Sequence, residues 1–145
     1  GDRPIFMCSF MWGISGLSKS DEKIVVLWLN SAVFFCLLLA RQTVTRGSWA
    51  KLHSQHFMRM QVLNLPNMSE SMKNRLVRLY DELSNFEWPS IIEQYSSPSQ
   101  ERRRLDLEIL RVLGIEGDEA EKTMRHLYDA ITSALRTMQM TMEAD

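Results

Sequence analysis

The chain has 145 residues, 45% of them hydrophobic and 24% charged, and a formal net charge of -1. That length suits one domain with a real core, and the composition excludes global disorder. The balanced charge excludes attraction of the whole molecule to nucleic acid or anionic lipid, so any such contact must come from a patch.

The opening Gly1-Asp2, with no Met, reads as the start of a piece of a longer protein. Cys8 and Cys36 both sit in strongly apolar surroundings, which predicts buried free thiols and a reducing, cytoplasmic setting. Residues 5–12 are apolar on both alternate faces, the pattern of a strand buried on both sides. Ser20 is placed to cap a first helix, with Asp21 and Glu22 in its first turn, where the helix dipole favours anions. That helix is expected to run through the apolar stretch 24–40 to about Arg41. As a single helix the stretch would span about 25 Å, short of the ~30 Å hydrocarbon core, and Asn30 and Ser31 lie at its centre. A buried helix is expected there, not a membrane span.

Residues 43–52 place β-branched side chains around Gly47, which predicts a strand or hairpin. Residues 53–60 suit a helical turn, and residues 61–65 a second short strand ended by Pro66. From Asn67 onward the signals are helical. Asn67 with Glu70 makes a capping-box pattern, and Met68, Met72, Leu76 and Leu83 follow at helical spacing. Pro89 breaks that helix and opens a short one over residues 90–95. Pro98 is expected at the first position of the next, which ends at Gly114, where Ile115 can complete a Schellman-type cap. Gly117-Asp118 with Glu121 opens the last helix, whose apolar stripe is Ala120, Met124, Leu127, Tyr128, Ile131, Leu135 and Met138; residues 140–145 are expected to fray. The expected fold is α+β. A small sheet element with one buried apolar helix fills residues 1–66, and an all-helical half fills residues 67–145.

Catalytic signatures are missing. The sequence has no glycine-rich phosphate loop, no Cys pair at metal spacing and no Gly-x-Ser-x-Gly turn. His53 and His56 would share a helix face, yet no Cys, Asp or Glu stands near them to complete a zinc site. Arg102, Arg103 and Arg104 point in three directions on a helix, flanked by Glu101, Asp106 and Glu108, so a solvated surface is expected.

One segment stands apart. Between Lys23 and Ser69 there is no Asp or Glu at all. After the apolar helix come Arg41, Arg46, Lys51 and Arg59, threaded with Trp49, His53, His56 and amide and hydroxyl side chains. Such groups bond phosphates and base edges, the guanidinium in bidentate fashion, and no carboxylate lowers the local potential. These seven residues are the candidate DNA-binding set. The alternative is a helical protein–protein interaction or scaffold module with no nucleic-acid role.

Four elements come in order: Asp21-Glu22-Lys23, the helix with Leu27-Trp28-Leu29-Asn30-Ser31, Thr45-Arg46-Gly47-Ser48-Trp49, and Val62-Leu63-Asn64-Leu65-Pro66; the later Arg104-Leu105-Asp106 with Val112-Leu113-Gly114-Ile115 adds closing helices. Together they resemble the C-terminal, target-recognition region of adenine-specific DNA methyltransferases of restriction–modification and phage-defence systems. The resemblance covers most of the chain. It implies a non-catalytic module with double-stranded DNA and an upstream catalytic domain as partners. The family's Asn/Asp-Pro-Pro-Tyr/Phe loop and glycine-rich cofactor motif do not occur in this sequence. S-adenosylmethionine is therefore implied for the parent protein only, with no cofactor held by this chain.

Overall fold

The computed structural model describes residues 14–41, 55 and 58–143. Among these residues there are α-helices and one short 3-10 turn, and no strand. The helices are α1 (Lys19–Leu29), α2 (Ala32–Arg41), α3 (Glu70–Leu83), α4 (Ile91–Ser96), α5 (Gln100–Val112) and α6 (Gly117–Glu143); the 3-10 turn is Leu65–Asn67. The expected α+β class is thus corrected to an all-helical arrangement. Of the strands it rested on, residues 61–64 are irregular and lead directly into the 3-10 turn. The proposed strands at residues 5–12 and 43–52 lie outside the described residues.

The expected single helix ending near Arg41 is two helices, bent by 62° at Asn30-Ser31. Neither Gly nor Pro stands there, so side chains make the break. Ser31 Oγ accepts from the Phe34 amide (3.1 Å), capping α2, and donates to the Trp28 carbonyl (2.7 Å) at the end of α1. The Asn30 side chain donates back to the Val26 carbonyl at 2.9 Å. Local bonds of this kind offer the backbone an alternative to helical continuation. No single described helix is long and apolar enough to cross a membrane, and α1 and α2 pass that test only as this bent pair.

Short polar residues set the other starts. Ser18, two residues before the expected cap, receives the Asp21 amide at 3.1 Å. Ser69, not Asn67, caps α3 by accepting from the Met72 amide at 3.2 Å. Ser90 and Glu93 form a reciprocal capping box on α4. Ser99 caps α5, which leaves Pro98 outside the helix. In two caps a carboxylate is held charged. Hydrogen bonds from Ser18, then Lys73, lower Asp21 below its ordinary 3.8, and the Ser90 side chain and amide lower Glu93 below 4.5. A carboxylate depressed on folding binds fewer protons than in the unfolded chain, so the stability it adds is present above its unfolded pKa and is lost as pH falls through the folded one. Denaturant midpoints measured between about pH 5 and pH 3 should therefore fall with pH.

The α5 terminus has the geometry its sequence predicts. Gly114 adopts φ +82°, its amide bonds the Arg111 carbonyl (3.0 Å), and the Ile115 amide reaches the Leu110 carbonyl (2.9 Å). Nothing lies within 4 Å of a Cβ built at Gly114, so only backbone conformation opposes a side chain. Gly114→Ala should cost about 1–2 kcal/mol, read as a lower thermal midpoint.

Helix α5 is central and buries two faces. Leu105 and Ile109 join Ile24, Leu27, Trp28, Leu76, Leu79 and Leu83 in one core, which also takes in Met60 and Leu63. Leu110 joins Ala32, Tyr95, Met124, Tyr128 and Ile131 in the second. The predicted stripe of α6 is the one that packs, and its helix continues to Glu143, past the expected fraying point at Met140.

Candidate nucleic-acid interface

Arg41 is the last residue of α2, and residues 58–63 begin the next continuous stretch the structure describes after it. The Arg41 guanidinium donates through Nη1 to the carbonyl of Arg59 at 2.6 Å, so the flanks of the candidate segment are tied side to side. Beyond Arg59, Met60 and Leu63 are buried in the first core, and the Trp28 indole N–H donates to the Gln61 carbonyl at 3.2 Å. Because α2 is capped at Ser31 and buried through Ala32 and Phe34, the stem is fixed at both ends.

Of the sequence-predicted residues, the structure brings Arg41 and Arg59 together. Arg59 is exposed and Arg41 half-buried. Arg46, Trp49, Lys51, His53 and His56 lie outside the described residues. Arg41 thus has a second task beyond the one expected of it, since one of its donors is committed to the stem.

Elsewhere several cations meet acids. Lys23 pairs with Asp81 and Lys73 with Asp21, joining α1 to α3. Arg75 pairs with Glu108 and Arg104 with Glu82, joining α3 to α5, while Arg103 pairs with Glu121 on α6. Exposed pairs of this kind add little stability, but they cancel local potential. The acid-free segment is where positive charge stays uncompensated by neighbours in sequence. Among the described residues no group of His, Cys, Asp and Glu could hold a metal ion.

Two clefts flank residues 61–65. One, of about 200 Å³, is almost wholly apolar, with Ile14, Leu17, Val25, Met60 and Val62 on its walls; the other, of about 680 Å³, adds Asn64, Asn67 and Met72. Val62 is 74% exposed and Ile14 52%, a large apolar display for so small a face.

The residues that sequence reasoning missed lie under the α1–α2 bend. Arg102 and Asp106, expected on a solvated surface, are 2% and 0% exposed. The guanidinium forks onto the carboxylate, with Nε to Oδ2 and Nη2 to Oδ1 both at 2.9 Å. Nη2 also donates to the Asn30 carbonyl (2.7 Å), while Asp106 Oδ1 accepts from the Ala32 amide (2.7 Å). The cation therefore meets the C-terminal end of α1 and the anion the N-terminal end of α2, each matched to its dipole. The Tyr128 hydroxyl donates to Asp106 Oδ2 at 2.7 Å, and the rings of Trp88 and Tyr95 lie 5.5 and 5.2 Å from the guanidinium carbon. Burial pushes the Asp106 carboxyl above its ordinary value, opposed by the Arg102 charge and by these donors. Desolvation works against the Arg102 charge, but Asp106 outweighs it and the guanidinium is held protonated. The signal was in the spacing: Arg102 and Asp106 fall on the same stripe as Leu105, Ile109 and Leu110, so a charged pair occupied core positions.

The chain matches no protein-family model, no curated protein and no solved structure.

Proposed function

We propose that this chain is a non-catalytic DNA-binding, target-recognition module of an adenine-specific DNA methyltransferase. In this reading Arg41, Arg46, Lys51 and Arg59 meet phosphates or bases, with Trp49, His53 and His56 beside them. The observation that carries it is the tied stem. The Arg41 bond to the Arg59 carbonyl holds side by side the two arginines that bracket an acid-free, Lys- and Arg-bearing stretch of sequence. Two cations already held together lose less entropy on meeting a polyanion than two on a free chain. The order of the motifs supports the family part of the reading, with methyl transfer and S-adenosylmethionine assigned to an upstream domain.

A second reading, a helical interaction module, is favoured by the apolar cleft beside the exposed Val62 and Ile14. Two measurements on the whole chain separate them. Fluorescence anisotropy with a labelled duplex should show saturable binding at low salt, with the protein monomeric by sedimentation. A stable homodimer that leaves the duplex free would select the second reading.

A further inference from the structure

A cleft of about 400 Å³ opens between the C-terminal end of α4 and the outer half of α6, well away from the stem. Asp129, Thr132, Ser133, Arg136 and Thr137 recur at helical spacing along its α6 wall, and Tyr95 contributes from α4. Tyr95 is 4% exposed. Its ring is stacked on Phe35 and meets the Tyr128 edge, with the Arg102 guanidinium over it. Its hydroxyl makes no hydrogen bond to a described residue, and it is open to solvent, not buried and unsatisfied. With the ring covered, the cleft is where that hydroxyl reaches solvent.

Arg102, Arg103, Arg104 and Arg111 are ion-paired, whereas Arg136, like Arg125 earlier on α6, has no acidic partner among the described residues. Asp129 lies seven residues back on the same face, about 10 Å along the axis, and does not neutralise it. While the Thr137 hydroxyl donates to the Ser133 carbonyl at 3.0 Å, the Arg136 guanidinium, the Tyr95 phenol and the hydroxyls of Thr132 and Ser133 line one cleft. That is a set of donors looking for a compact, multiply accepting anion.

We propose that this cleft binds a phosphate ester group, held by Arg136 with the hydroxyls of Tyr95, Thr132 and Ser133. Burial raises the Tyr95 hydroxyl to about 12, which keeps it a donor at neutral pH. The Asp129 carboxylate, on the same α6 wall, accepts hydrogen bonds and therefore suits the hydroxyl-bearing side of the ligand, not a second phosphate. The same chemistry is offered by a free sugar phosphate and by a nucleic-acid backbone. The proposal does not rest on the DNA reading of the stem segment.

The test is calorimetric titration of the full chain with ribose 5-phosphate, and anisotropy titration with a labelled DNA oligonucleotide. Arg136→Gln should weaken binding of at least one probe by about tenfold or more, and Tyr95→Phe by roughly fivefold. Both variants should keep the parental melting temperature, since Tyr95→Phe retains the ring and Arg136 is exposed. An effect on ribose 5-phosphate identifies a free ester as the ligand; an effect on the oligonucleotide alone identifies a backbone phosphate. Failure of both probes to bind the parent chain, or parental affinity in both variants, overturns the proposal.

Discussion

Arg102→Met will destabilise the protein by about 3–5 kcal/mol. The substitution leaves Asp106 at 0% exposure with no cation, and it frees the Asn30 carbonyl at the end of α1. The loss is large because the group left behind cannot reach water. For a domain whose total stability is about 5–15 kcal/mol, the melting midpoint should fall by about 10 °C or more. Arg102→Lys separates charge from geometry. It keeps a cation near Asp106 but gives up the two-pronged contact and the simultaneous bond to Asn30, so an intermediate loss is expected. A midpoint within 1–2 °C of the parent for Arg102→Met would mean that the α1–α2 bend does not depend on this pair.

The second large effect concerns salt. If four cations of the stem segment each neutralise a phosphate, the logarithm of duplex affinity should fall with the logarithm of salt at a slope of about -3.6. Between 50 and 200 mM salt that amounts to a loss of roughly 150-fold. Arg46→Ala with Lys51→Ala removes two of the four, so the slope should flatten by about 1.8 and the low-salt affinity should drop. Thermal midpoints should not move, since the change spares the stem bond from Arg41 and both described cores. Arg41→Ala is the informative contrast. It removes a charge and the stem bond together, so it should cost more affinity than its single contribution to the slope.

How far the fold could be read from the chain depended on the kind of signal. Helices α3 to α6 follow from apolar residues at helical spacing and from short polar caps. Gly114 with Ile115 could be read in full, because a Schellman cap is written in two adjacent residues. The errors at the caps were of one kind: where Ser18 and Ser20, or Asn67 and Ser69, compete, propensity does not say which side chain will receive the amide. The bend at Asn30-Ser31 was illegible for a deeper reason. Nothing in the run from Ile24 to Arg41 breaks a helix, and the break is held from 72 to 74 residues away by Arg102 and Asp106. The short strand expected at residues 61–65 failed because an alternating apolar pattern also serves a segment that drops single side chains, here Leu63, into a helical core. Of the candidate site, the charge pattern was visible in sequence, but its anchoring was not. The bond from Arg41 to a carbonyl eighteen residues on leaves no trace in composition.

Amide hydrogen exchange on the whole chain with and without a short duplex tests the DNA-binding role of the acid-free segment most directly. Protection gained across residues 42–59 on adding the duplex is the predicted result. Unchanged exchange in that segment, with the duplex demonstrably bound or at concentrations where the parent should be saturated, would contradict it.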